Sequence, residues 1–378
     1  MRIHRSLPSP EAADLLDLTR EIADRELAPR ADDFEARGEY PREVLRTLGK
    51  AGLLGLPFGE DVGGGGQPFE VYLQVLETLA RRWLCVAQSV NVHTLSCLGV
   101  DRYGSAAQRA ELLPDLLAGD RLGANCMSEA HAGSDAAAMT TKAVRDGDHY
   151  VLDGTKSWVT HAGVADHYTV YVRTGGAGAR GLSCLVVDAD TPGLLVQPRE
   201  RKMGNTASPT AQVVFDQVRV PADRLIGREG KGFLVAMAAM DCGRLAIAAI
   251  AVGLAQAALD HAVEYAKTRE QFGQPVIGFQ GLAFMLADMA TQVAAARALY
   301  LSAARLRDAG EPHSTEAATA KLFATDAAMR VTTDAVQVLG GYGYVKDHPV
   351  ERWMREAKLL QIVEGTNQIQ RVIIARAL

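Results

Sequence analysis

The spacing of apolar positions changes twice along the chain. Over residues 1–120 it is helical. After a proline-rich start, Leu15, Leu18, Ile22 and Leu27 lie roughly on one face of a first helix, and Leu45, Leu48 and Leu53 suggest a second. The stretch "DVGGGGQP" (61–68) reads as a loop, because four glycines in a row cost too much backbone entropy for regular structure. Two further helices are predicted over 70–102 and 106–118. Between 121 and 225 the pattern turns to short alternating runs. "HYVLDGTKSWVT" (149–160) places Asp153-Gly154 as a two-residue hairpin turn, and "HYTVYVRTGG" (167–176), "GLSCLVVDAD" (181–190) and "AQVVFDQVRV" (211–220) follow at strand spacing.

From 228 the helical period returns. Leu254, Ala258, Ala262 and Tyr265 stack on one face. A second long helix over 279–308 carries Leu282, Met285, Leu286, Met289, Val293 and Tyr300 and is stopped by Gly310 and Pro312. Ser314 can cap a third helix running to Leu339, where Gly340-Gly341 ends it, and Pro349 suits the first turn of a fourth. The pattern predicts an α+β multidomain protein. It has an N-terminal all-α domain (1–120), a middle antiparallel β-barrel or sandwich domain (121–227) and a C-terminal four-helix bundle (228–378).

Composition adds mainly exclusions. The 378 residues are 48% hydrophobic and 22% charged, with a formal net charge of −5. That gives no electrostatic case for binding nucleic acid or an anionic membrane surface. Five scattered cysteines without a C-x-x-C pair suit a reducing compartment better than a disulfide framework or a zinc site, so no metal is expected. The N-terminus has no apolar h-region, and the apolar stretch 233–259 is broken by Asp241 and Arg244 and reads as a buried helix. A cytoplasmic location is expected.

Three segments carry candidate chemistry, and each has a plain structural reading beside the chemical one. "CMSEAHAGSDAAA" (126–138) puts hydroxyls and backbone N–H groups on a loop that can bind phosphate or the polar edge of a heterocycle; it can also be a small-residue turn. "QVLGGYGYVKDHPVERWMRE" (337–356) has glycines that admit a close ligand, or simply joins two helices. "QIVEGTNQIQR" (361–371) sets Glu364 between the apolar Ile362-Val363 and Gly365. It can end one helix and start the next, or act as a base facing a dry pocket. "KTREQFG" (267–273) adds Arg269 near a helix end.

Taken together, in this order and with this α–β–α layout, the segments resemble the acyl-CoA dehydrogenase family along almost the whole chain. The first is similar to its S/T-E-x-x-x-G-S-D signature, the second to its Q-x-x-G-G-x-G signature, and "VEGTNQIQR" to its catalytic-base segment. The resemblance implies bound FAD, an acyl-CoA substrate, an electron-transfer flavoprotein as partner, and a homotetramer in which a neighbouring subunit completes the FAD site. It implies flavin or pyrophosphate contacts for Met127, Ser128, Gly133 and Ser134, ring packing by Trp158 and a hydrogen bond from Thr160. Arg269, Phe272, Gln280, Gln337, Gly340 and Gly341 would reach the FAD of a partner subunit, with Thr366, Asn367 and Gln368 as further cofactor contacts. Ser134, Asp241, Arg244 and Gly365 would meet substrate, and Glu364 would be the catalytic base. Some branched-chain members carry the base immediately before the arginine that Arg244 matches; that position here is Gly243.

The chain also departs from the pattern. Ala130-His131 replaces the usual Pro-Gly after Glu129; His131 reads as a surface residue, with a phosphate or thioester contact as the alternative. Asn125 stands where an aromatic residue is common, and His161 is expected in a loop after the strand. Val363 replaces the usual tyrosine before the base, which leaves room near the reacting carbons. With other local sequences, this resembles members acting on isobutyryl-CoA and favours a short, 2-methyl-branched acyl group. Within the fold, an acyl-carrier-protein-linked dehydrogenase or an oxidase is the alternative, while a nucleic-acid-associated relative conflicts with the charge.

Overall fold

The computed structural model describes residues 7–378; the basic start of the chain, which enters the reading of the N-terminus, lies outside that range. Six helices open the described chain: α1 (Pro10–Ile22), α2 (Ala31–Arg37), α3 (Arg42–Lys50), α4 (Phe69–Ala80), α5 (Leu84–Tyr103) and α6 (Ala106–Leu117). Seven strands follow: β1 (Gly123–Cys126), β2 (Lys142–Asp146), β3 (His149–Thr160), β4 (His167–Arg173), β5 (Leu182–Asp188), β6 (Leu194–Val196) and β7 (Thr210–Pro221). The C-terminal part contains α7 (Gly232–Thr268), the small hairpin β8 (Glu270–Gln271) and β9 (Gln274–Pro275), α8 (Gln280–Asp308), α9 (Ser314–Leu339), the short α10 (Gly341–Tyr344), α11 (Val350–Leu360) and α12 (Asn367–Arg376).

The three-part α–β–α layout is as predicted, and α7, α8, α9 and α11 pack as the bundle. The alanine-rich middle of α7 is enclosed: Ala246, Ala248, Ile250 and Leu254 are all fully buried. Such small side chains let α4, α5, α8 and α9 close on one central helix. The 61–68 loop is also as predicted, with Gly63 and Gly66 at φ 86° and 58°.

Several local expectations are corrected. The stretch 70–102 is two helices, not one. Trp83 takes an extended conformation (φ −159°, ψ 110°) between α4 and α5, and its buried indole Nε1 donates to Glu35 Oε1 at 2.9 Å. A tertiary hydrogen bond plus burial of a large ring outweighs one more helical turn. Leu18 is 39% exposed, off the buried stripe of α1, which passes into a π turn over Ala23–Leu27. Ser314 does not cap α9: its hydroxyl donates to Asp241 Oδ2 at 2.6 Å instead.

Asp153-Gly154 is not a turn. Strand β3 runs straight through it, and the β2–β3 reversal lies at Gly147-Asp148. Gly154 sits at a register shift against β7, with φ 148°, and a Cβ there would fall 2.7 Å from Thr141 Cα. The glycine serves a bulge under a crossing chain, a use the local pattern cannot distinguish from a turn. The sheet order is β1-β4-β2-β3-β7-β6 with β5 on β4. The β2–β3, β3–β7, β4–β5 and β6–β7 pairs are antiparallel, while β1 joins β4 in parallel.

Candidate active site

The turn between α11 and α12 carries the carboxylate. Glu364 and Gly365 are consecutive left-handed residues, at φ 54° and 83°. For a non-glycine residue that conformation is uncommon and has to be held by its surroundings. Here the carbonyl of Gly365 accepts from Lys321 Nζ at 3.0 Å and Gln370 Nε2 at 2.7 Å, and Gln370 Nε2 also reaches the Glu364 carbonyl at 3.3 Å. Thr366 caps α12 through a hydrogen bond from Ile369 N.

The side chain of Glu364 points at α7. A Cβ on Gly243 would lie 2.6 Å from Glu364 Oε2 and 3.3 Å from Leu95 Cδ1, so the absence of a side chain at Gly243 is what admits the carboxylate. Oε2 is buried and has no hydrogen-bond partner among the described residues. Burial pushes the carboxyl up to about 7, against the pull of Arg244 and Lys321. Arg244 is itself buried, ion-paired to Asp241, with its Nε unpartnered among the described residues. A poorly solvated carboxylate without donors, with two cations nearby, is poised to accept a proton near neutral pH.

The other sequence-singled residues fall into two further groups. The first is built on β1 and β3. Lys156, fully buried, donates to Met127 O at 3.0 Å and Glu129 Oε1 at 2.9 Å. Glu129 also accepts from the Thr140 and Thr141 backbone N–H groups at 2.7 and 2.9 Å. Burial works against the Glu129 carboxylate, but Lys156 and the threonine hydrogen bonds bring it down to about 2. This ion pair fixes the start of the loop that presents Met127, Ser128, Gly133 and Ser134. Gly133 and Ser134 are exposed, and a Cβ on Gly133 would meet nothing within 4 Å. Beside the loop, β3 bulges between Lys156 and Val159, turning Trp158 out at φ 56° and leaving it 55% exposed, with Thr160 half-buried beyond it. A large aromatic displayed by a bulge, next to a loop of small polar residues, suits a flat ring with a charged tail. The residues present therefore fit a flavin dinucleotide.

Among the departures, His131 is 56% exposed, in line with the surface reading, with Nε2 3.6 Å from Glu129 Oε2. His161 is in the turn after β3 but fully buried: Nδ1 bonds Gly123 O at 2.9 Å and Nε2 bonds Tyr40 Oη at 3.2 Å. Asn125 leaves its Oδ1 buried and unpartnered among the described residues.

The second group lies at the other helix ends. A cavity of about 530 Å³ is lined by Arg269, Leu282, Gly340, Gly341 and Tyr342, among others. Arg269 sits over the Tyr342 ring at 5.7 Å. Phe272, at φ 51° in the β8–β9 turn, is 93% exposed; Gln280 and Gln337 are exposed as well. Among the described residues, no hydrogen bond, ion pair or ring contact joins this group to Glu364 within one chain.

The side chain of Asn367 is engaged within the chain. It is buried, its Oδ1 accepts from Lys321 Nζ at 2.8 Å, and its Nδ2 donates to Thr325 Oγ1 at 2.9 Å and Asp326 Oδ1 at 2.7 Å. It holds the turn to α9. Gln368, next to it, is exposed. The residues that sequence reasoning missed are Lys156, Lys321 and Gln370. Lys321 had a signal: it falls on the same helical stripe as Ala317, Ala324 and Ala328, all of them buried, where a lysine is unexpected.

Comparison with known proteins identifies the family and the fold. Family models for the N-terminal, middle and C-terminal domains of acyl-CoA dehydrogenase match residues 9–120, 124–218 and 230–378. An acyl-CoA dehydrogenase of Bacillus subtilis (strain 168) is 43% identical, covering 96% of each chain. Butyryl-CoA dehydrogenase from Megasphaera elsdenii is 40% identical, superposes with a TM-score of 0.96 and covers 99% of each chain. A chain from a structure of the electron transferring flavoprotein of Acidaminococcus fermentans is also 40% identical, with a TM-score of 0.97 and 99% coverage of each chain. With all three domain types matched in order and the fold shared end to end, this chain belongs to the acyl-CoA dehydrogenase family, a family of flavin-dependent oxidoreductases.

Proposed function

We propose that this chain oxidises a short or 2-methyl-branched acyl-CoA to the 2-enoyl-CoA, with Glu364 as the base that takes the α-proton. The observation that carries the reading is the buried, unpartnered Oε2 of Glu364 facing Gly243 and Leu95. The α-C–H of a thioester is a very weak acid, so the carboxylate must be poorly solvated and the developing charge must be stabilised as it forms. Leu95 and Val363 keep water from the carboxylate, and the inward-turned carbonyls of Glu364 and Gly365 leave the other face of the turn to the thioester. Ser134, Asp241 and Arg244 line the way in. Met127, Ser128, Gly133, Trp158 and Thr160 hold FAD, which when bound accepts the β-hydrogen as hydride. Arg269, Phe272, Gln280, Gln337, Gly340 and Gly341 serve the FAD of a second copy in a homotetramer, with Thr366 and Gln368 as further contacts. In such an assembly these residues need no contact with the Glu364 of their own chain. Electrons then pass to an electron-transfer flavoprotein in the cytoplasm. The domains divide near residues 120 and 228.

The test is anaerobic mixing of the FAD-loaded protein with butyryl-CoA and, in parallel, isobutyryl-CoA, following the oxidised flavin band. Bleaching with either, abolished in Glu364→Gln, supports the reaction and its base; the faster substrate decides whether the space at Val363 takes a branch. No bleaching by either refutes the short-chain assignment. Rapid reoxidation by air would identify an oxidase instead, and preference for a carrier-protein thioester would replace CoA as the carrier.

A further inference from the structure

We propose that Lys321 is a positioning residue for the reaction: from within α9 it clamps the Glu364–Gly365 turn and adds a buried positive charge that favours the ionised form of the Glu364 carboxylate. This deepens the proposed function and rests on Glu364 being the base.

Three observations carry it. Lys321 is fully buried, and its Nζ donates to the Gly365 carbonyl at 3.0 Å and to Asn367 Oδ1 at 2.8 Å, so it holds the middle and the C-terminal end of the turn that bears the base. The turn is in the left-handed region at both Glu364 and Gly365, so it needs outside support to stay there. Asn367 is in turn fixed by Thr325 and Asp326, and Gln361, just before the turn, donates to the same Asp326 oxygen at 2.7 Å. The turn is therefore tied to α9 on both sides, through Lys321 and Asp326. An ammonium is costly to bury without a purpose. Packing alone would be met by a leucine or methionine on the alanine stripe of α9.

The electrostatic side follows from the groups around the carboxylate. Arg244 of α7 and Lys321 of α9 act on it, and it acts on the Tyr171 hydroxyl of β4; one step further out, Asp241 pairs with Arg244, while Asp326 acts on Lys321 and pairs with Arg371 of α12. Arg244 is paired to Asp241 and Arg371 to Asp326. Lys321 makes its hydrogen bonds to neutral acceptors, Gly365 O and Asn367 Oδ1, so it is not tied to a carboxylate by a direct bond, and its charge acts on Glu364 alongside that of Arg244. Burial lowers its ammonium to about 7, with Glu364 and Asp326 pulling the other way. Both groups release a proton over the neutral range, so removing one of them moves the titration of the other.

The experiment uses FAD-loaded wild type, Lys321→Met, Lys321→Arg and Gln370→Met. Three things are measured: the pH profile of flavin bleaching by butyryl-CoA, the Kd of a non-dehydrogenable thioether analogue of butyryl-CoA, and the Tm of each variant with and without Glu364→Gln. In Lys321→Met the profile should move up by about one pH unit, since an opposite charge near a carboxylate shifts it by about 1–3 units. Its rate at pH 7 should fall about tenfold or more while analogue Kd changes little. Glu364→Gln should raise Tm more in the Lys321→Met background than in wild type, a coupling that needs no activity. Lys321→Arg should keep the wild-type profile. Gln370→Met, which removes a clamp but no charge, should lower the rate without moving the profile. A folded, FAD-loaded Lys321→Met with wild-type rate and profile overturns the inference. If that variant does not fold, an unmoved rate in Gln370→Met together with a shifted profile in Lys321→Arg overturns it. Bleaching that survives Glu364→Gln overturns the base itself, which the wild-type comparison registers separately.

Discussion

The same burial that prepares Glu364 for catalysis should make it a liability for the fold. Its carboxyl is raised from an ordinary 4.5 to about 7 by burial, even after Arg244 and Lys321 have pulled it down. The sign follows directly. Below pH 4.5 the group is protonated both folded and unfolded and contributes nothing. Between 4.5 and about 7 the unfolded chain releases the proton and the folded chain holds it, so stability falls as pH rises. Above about 7 the loss is complete. At about 1.4 kcal/mol for each tenfold change in proton affinity, the rise from 4.5 to about 7 sets the cost at up to roughly 3 kcal/mol. Glu364→Gln keeps the shape and removes the titration. With an unfolding entropy of roughly 0.8 kcal/mol/K for a chain this long, it should raise Tm by up to about 4 °C at pH 8 and by almost nothing at pH 4.5. The assay is scanning calorimetry of both FAD-loaded proteins across that range, beside the flavin-bleaching rate, which the substitution should abolish. A Tm difference that does not grow with pH would refute the account of a desolvated carboxylate, whatever happened to activity.

Other outcomes follow from single contacts. Gly243→Ala puts a methyl 2.6 Å from Glu364 Oε2 and should cut the bleaching rate at least tenfold, with little change in FAD content; an unaffected rate would mean the carboxylate works from elsewhere. Lys156→Met leaves the buried Glu129 without its cation and should cost about 3–5 kcal/mol in denaturant unfolding, with loss of FAD retention. Trp158→Ala removes a ring that is already 55% exposed, so Tm of the FAD-free protein should stay within about 1 °C while FAD affinity drops. If FAD affinity is unchanged, the bulge has another purpose.

The chain order α, β, α and the identity of the three segments could be read from the sequence alone. Hydrophobic period reports which faces are buried, and short polar motifs stay local in the chain. Glu364 itself was legible because the turn that holds it, Val363 to Asn367, is contiguous. What tertiary structure decided is everything that depends on which distant residue arrives opposite. Asp153-Gly154 has the composition of a hairpin turn, but Thr141 crossing above Gly154 makes it a bulge. Ser314 has the residue type of a cap, but it falls inside the first turn of α9, after His313, and its hydroxyl donates to the Asp241 carboxylate arriving from α7. Asn367 sits among cofactor-segment residues, yet the approach of Lys321 and Thr325 turns it inward. Most consequential is the meeting of Gly243, Lys321 and Glu364 from three separate elements. A glycine and a lysine on alanine-rich helices carry no local mark of chemistry; they acquire it because the space left by one and the charge on the other meet a single carboxylate that has little water around it.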